Sequence, residues 1–135
     1  MRASFDLAIG ALGSALMYLL GGWDLMIQTL ILFMILDYIS GIIAAAVFHK
    51  SNKSTSGALS SKAGFIGLCK KFMILVVVAL TYRIDILLHL KEMLYNVIVI
   101  AYIANEAISI LENAIAMGIP IPKKLEEAIE SMKGD

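Results

Sequence analysis

Few residues in this chain are of the types that build metal or nucleophilic centres: the histidines are His49 and His89, and the one cysteine is Cys69. Neither histidine stands at a metal-ligand spacing, and on the topology below they fall on opposite sides of a membrane, so no metal site is expected. Cys69 precedes Lys70 and Lys71, a setting in which a thiol can be acylated; an inert, partly buried thiol is the simpler reading. The sequence holds no CxxC, no glycine-rich phosphate loop and no nucleophile–base pairing. Neither an enzyme nor a cofactor is expected. What remains is a set of acids within or beside apolar runs, Asp6, Asp37, Asp85, Glu106 and Glu112. An acid at the centre of a bilayer costs on the order of 2.5–3.5 kcal/mol on insertion scales, so each needs a partner, water or a functional reason to be there. Asp85 and His89 lie one turn apart and could pair at an interface.

Residues three and four apart share a helix face. Asp6, Gly10, Gly13, Ser14, Met17 and Gly21 make a small-residue stripe with one acid, and Asp37, Ser40, Gly41, Ala44 and Ala45 make a second. Small residues let helix backbones approach closely in lipid, where packing replaces the hydrophobic drive. That packing is expected either within one molecule or between copies. A third stripe, Tyr102, Asn105, Glu106, Ser109, Glu112 and Asn113, runs along an otherwise apolar helix and must meet protein, water or headgroups. It reads either as an intramolecular network, with Glu106 bonded to groups such as Asn105 or Gln28, or as a face that becomes wet when subunits assemble.

The elements that carry these stripes follow from composition. Of 135 residues, 60% are apolar and 16% charged, against roughly 45–50% and about 25% in soluble domains. With a mean hydropathy of +0.86, the chain lacks the polar shell of a soluble domain. Eleven basic and eleven acidic residues cancel, so nothing points to nucleic acid, and a single cysteine excludes a disulfide scaffold. A small all-α integral membrane protein remains. Spans are expected at about 3–20, 23–48, 72–90 and 93–111, the first two joined as a hairpin by Gly21-Gly22. Residues 49–71 form a polar cytoplasmic loop, with Lys70 and Lys71 at the membrane edge because lysines snorkel. Pro120 and Pro122 end the membrane domain of residues 1–118. A charged tail, 119–135, holds a short helix from Lys123 to about Met132 in solvent or on the membrane surface.

Four spans with both ends inside place Arg2, Lys50, Lys53, Lys62, Lys70, Lys71, Lys123, Lys124 and Lys133 in the cytoplasm and only Arg83 and Lys91 outside. The alternative is three spans, with residues 3–20 lying on the surface. Met1-Arg2 before an apolar stretch resembles a signal peptide, but Asp6 and the lack of a clear small-x-small cleavage site favour a retained anchor.

Four segments then occur in an informative order. Asp37-Tyr38-Ile39-Ser40-Gly41-Ile42-Ile43-Ala44 resembles the D-Y-x-[ST]-G-x-[IL]-A segment of the phage lysis and toxin-secretion holin family of Gram-positive bacteria and their phages. Residues Ser61 to Lys71 look like that family's S-x-x-G-x-x-G-x-x-K-K connector. Tyr102 to Asn113 is similar to its [FY]-x-x-N-E-x-x-S-[IL]-x-E-N stretch, and Gly118-Ile119-Pro120-Ile121-Pro122-Lys123 to its break before the charged tail. The resemblance implies a holin, a protein that collects in the host cytoplasmic membrane and oligomerises with copies of itself into lesions. These release a cytoplasmic endolysin, or in some relatives a toxin, with no active site and no cofactor. The motif positions carried over are Asp37, Gly41, Asn105, Glu106, Glu112 and Asn113, without individual roles. The expected partners are the lipid bilayer, the protein itself, and an endolysin or exported toxin. A channel or transporter accessory subunit, or an antiholin of the same fold, is the competing class; polar groups spread along one helix, with no inverted repeat, argue against transport.

Overall fold

The computed structural model describes residues 1–51 and 56–132. Helix boundaries follow from local chemistry. Asp24, in extended backbone, accepts the Ile27 N–H at 3.0 Å and starts α2 (Leu25–Ala46). Ser60 does the same for α3 (Ser61–Leu87), its Oγ accepting the Ala63 N–H at 3.3 Å. α1 (Arg2–Leu19), α4 (Met93–Ala116) and α5 (Lys123–Met132) complete the described residues, which contain no strand.

Three helices end in one way, with a left-handed residue just past the cap and a backbone N–H returning to a carbonyl five residues back. The left-handed residues are Gly21, His89 and Gly118, and the returning bonds are Gly22 to Met17 at 2.8 Å, Leu90 to Asp85 at 3.1 Å and Ile119 to Ala114 at 3.0 Å. Gly21 has a second constraint, since a Cβ there would lie 2.9 Å from the Tyr82 ring. After Gly118, Pro120 and Pro122 keep the chain from resuming a helix before Lys123.

α2, α3 and α4 are each long and apolar enough to cross a membrane. α3 overturns an expectation: it begins at Ser61, ten residues before Lys71, so nearly half of the expected 49–71 loop is helix and Lys71 lies well inside it. The Ser60 cap and the neutralisation of Lys71 described below are the physical reasons. α4 also runs on to Ala116, beyond the expected end at 111. Lys53 and Lys133 lie outside the described residues.

The dry core fills the half of the bundle nearest the α1–α2 and α3–α4 turns: Leu20, Ile27, Leu30, Val78, Tyr95 and Val99 are all under 2% exposed. Tyr95 holds the two turns together. Its Oη donates to the Leu20 carbonyl at 2.8 Å, and its ring meets Tyr82 edge-on at 5.4 Å. α1 is fastened only near its end, where the Arg83 guanidinium sits 5.4 Å above the Tyr18 ring. It buries none of its residues, and a Cβ added at Gly10 or Gly13 meets nothing within 4 Å. The small-residue stripes of α1 and α2 therefore do not pack on each other within the chain. The α2 stripe faces α4 instead, with Ala44 and Ala45 buried.

Asp85 is not a partner of His89. Its carboxylate accepts the N–H of Glu92 at 2.7 Å and of Tyr95 at 3.0 Å, capping the start of α4 from the end of α3. Asp85→Ala should lower unfolding stability in detergent by about 2 kcal/mol, since two charge-assisted bonds to helix-start N–H groups are lost. His89→Gly should raise it by about 1 kcal/mol, because the left-handed backbone there carries a Cβ penalty that glycine lacks. Denaturant titration followed by circular dichroism checks both.

Candidate functional site

Three charged side chains meet midway along the bundle. Asp37 lies in the middle of α2 and Glu106 in the middle of α4, each about 18–20 Å from the turn end of its helix at 1.5 Å per residue. Lys71 of α3 reaches between them. Its Nζ donates at 2.7 Å to Asp37 Oδ2 and at 2.7 Å to Glu106 Oε2. The side chains are 15%, 5% and 7% exposed for Lys71, Asp37 and Glu106, so protein covers most of the group.

A polar shell completes it. Ser109 Oγ donates to Asp37 Oδ1 at 2.5 Å, and Asn113 Nδ2 donates to the same oxygen at 3.2 Å and to Ser40 Oγ at 2.9 Å. Ser40 in turn donates to the Asp37 carbonyl at 3.1 Å, tying the acid's own backbone into the network. Among the described residues, no buried side-chain nitrogen or oxygen lacks a hydrogen-bond partner.

The expected α4 stripe divides here. At 100° per residue, Glu106 and Asn113 share one direction and Asn105 and Glu112 point about 100° away, with Ser109 between. Glu106 and Asn113 are accordingly buried, whereas Asn105 and Glu112 are exposed. Glu106 pairs with Lys71, not with Asn105 or Gln28; Gln28 instead donates to the Trp23 carbonyl at 3.1 Å. Gly41 lines the space between α2 and α3, where Tyr38 lies across α3 with its Oη 3.3 Å from where a Cβ of Gly64 would be. Gly10, Gly13 and Ser14 stand apart on α1 and reach none of this.

Lys71 is the residue that sequence reasoning missed. A signal was present: two helices carry central acids, and one neighbouring helix carries a lysine that could neutralise them. Chemically the cluster can hold charge and exchange protons or hydrogen bonds. Among the described residues, no three His, Cys, Asp or Glu side chains converge as metal ligands.

The three segments that meet here are the motif segments of α2, α3 and α4, and residues 14–134 match the bacteriophage holin family. The chain belongs to the bacteriophage holin family. Relatives align over nearly their whole length. An uncharacterized protein of Halalkalibacterium halodurans is 35% identical over 140 residues, covering 100% of this chain and 98% of that protein. One of Listeria innocua is 40% identical over 129 residues, 96% and 86% of the two chains. An uncharacterized 14.9 kDa protein of Clostridium perfringens is 38% identical, covering 92% and 89%. No solved structure matches.

In this holin-family chain Lys71 is the partner that both carboxylates share, so its loss leaves two buried acids without a cation. Removing one partner of a buried ion pair costs about 3–5 kcal/mol, whereas replacing the whole set with neutral groups of similar size is far milder. Lys71→Met should therefore destabilise the protein by about that amount, and adding Asp37→Asn and Glu106→Gln should restore more than half of the loss. Unfolding of the purified variants in detergent micelles measures both.

Proposed function

We propose that this holin-family protein acts as a phage-type holin. It collects in the bacterial cytoplasmic membrane, assembles with copies of itself, and opens lesions that release a cytoplasmic endolysin or an exported toxin, so timing host-cell lysis. The observation that carries the reading is the polar network of Asp37, Lys71, Glu106, Ser109 and Asn113, held between the helices of an otherwise apolar bundle. In lipid such groups stay inside the protein, because each would lose its partners at the lipid face. At the rim of a water-filled lesion the same groups can turn outward. Asn105, which borders the space between α2, α3 and α4, and Glu112, exposed on α4, are placed to join that rim.

The charge distribution supports an orientation with both ends cytoplasmic. Lys50, Lys62, Lys70, Lys123 and Lys124 gather toward the loop and α5 end, while Arg83 and Lys91 lie toward the other. In this reading α1 crosses as a fourth span without a partner inside its own chain, which leaves Gly10, Gly13 and Ser14 for contacts between copies. The charged tail after Pro122 tunes timing or serves as a solubilising end.

Induced expression in a bacterium, alone and with a cytoplasmic endolysin, tests this through turbidity and membrane potential. The expected result is abrupt depolarisation, with lysis only when endolysin is present. Continued growth despite confirmed insertion would instead support an antiholin or an accessory subunit. Glu106→Leu leaves Lys71 paired with Asp37, so the variant should insert normally; combined with Glu112→Leu it should delay or block lysis. Unchanged lysis timing would refute the outward-turning stripe.

A further inference from the structure

The two halves of the α2–α4 bundle differ. The half toward Gly21 and His89 is filled by fully buried apolar side chains. The other half holds a cavity of about 490 Å³ between α2, the start of α3, and α4. Its floor is the Asp37, Lys71 and Glu106 cluster, and its rim includes the loop residues Ser51 and Ser60. The space between the walls is left open by glycines. Gly41, Gly64 and Gly67 contribute no side chains to fill the space, and Tyr38 props α2 away from α3 across Gly64.

We propose that this cavity is an aqueous vestibule, admitting water and small polar solutes from the loop end of the bundle to the charge cluster, and that the apolar half beyond is its seal. The volume has room for on the order of fifteen waters at about 30 Å³ each. Apolar side chains such as Ile42, Leu59 and Ile66 line the walls, but charged groups make up the floor and hydroxyls part of the rim, and these give water the polar partners that a dry void lacks. Water at the floor also lowers the cost of three charges held at mid-bundle. Beyond the cluster the lining changes abruptly to Leu30, Val78 and Val99, each 0% exposed, which offer water no partner. The resting bundle is thus wet on one side to about its middle. The vestibule does not depend on lesion formation, and a chain that never lysed a cell could still hold it.

Cysteine accessibility tests it in a full-length Cys69→Ser background. The probe is a small charged methanethiosulfonate, applied to either face of membrane vesicles that hold an imposed potential, so that no lesion contributes. Gly67→Cys and Asn105→Cys report on the cavity. A Cβ at Gly67 makes only an ordinary 4.0 Å contact with Tyr38, and Asn105 is exposed, so both variants are expected to fold. Phe72→Cys, next to Lys71 but exposed on the outer surface of α3, reports on lipid at similar depth, and Val99→Cys on the seal. A thiol reacts as its thiolate, which forms in water and not in lipid, so the cavity positions should label at least about tenfold faster than Phe72→Cys or Val99→Cys. They should do so only from the face bearing the loop and α5. Labelling no faster than at Phe72→Cys, or equal labelling from both faces, would overturn the proposal.

Discussion

A lysine ammonium in the middle of three apolar helices must be neutralised where it stands, and much of this architecture follows from that requirement. Lys71 enters α3 about 15 Å from its first residue at 1.5 Å per residue, farther than its own side chain can reach back. Asp37 and Glu106 meet it from α2 and α4, each at 2.7 Å. One contact thereby sets the depth of three helices relative to one another. A slip of a single residue on any of them would carry a charge 1.5 Å along the axis and about 100° around it. Buried ion pairs add little net stability compared with well-packed apolar groups; a specified register is what this one supplies.

That register explains how unevenly the helices pack. α2 and α4 lie against each other along much of their length, and Ser40, Ser109 and Asn113 stitch their facing sides to Asp37. α3 joins the pair at two places, the apolar half around Val78 and the lysine itself. Between Lys71 and the loop it stands off, with Tyr38 reaching across the gap to Gly64. The connector glycines thus keep α3 close enough for its lysine to arrive and bare enough to leave a cavity beside it.

Much of the helical layout was legible from sequence, because its signals are local. Gly21-Gly22 mark the α1–α2 turn, Pro120 and Pro122 mark the break between α4 and α5, and Lys123 to Met132 forms the expected tail helix. The start of α3 is masked by its composition, because a stretch rich in Ser, Lys and Gly has the look of a polar loop and only the Ser60 cap distinguishes it. Treating each helix alone also hid the charge cluster. A lysine near a span edge is satisfied equally well by the interface or by an acid on another helix, and only the arrangement of three helices decides between them. The α4 stripe posed the same difficulty: Glu106 and Glu112 both belong to one broad polar face, yet the 100° step turns one toward Lys71 and the other away. His89 and Asp85 stand one turn apart in sequence, but the N–H groups at the start of α4 are the donors that the Asp85 carboxylate accepts from, and they lie seven and ten residues onward.

The same constraint governs how such a bundle can open. Either carboxylate leaving Lys71 while lipid surrounds the bundle exposes a charge with nothing to replace its partner, a penalty of several kcal/mol. Thermal motion within one isolated molecule therefore favours the closed arrangement. The penalty falls only if another polar surface arrives at the moment of separation, and water or a second copy can supply one. Because Asp37 is bonded at once to Lys71, Ser109 and Asn113, the network does not yield one bond at a time without loss. α1, with no packing partner along most of its length, is the element whose rearrangement disturbs the fewest of these contacts. Under the proposed holin function, a bundle built this way would resist gradual leakage and open when subunits together provide the replacement contacts, so that a single internal ion cluster would make the response to rising protein density abrupt.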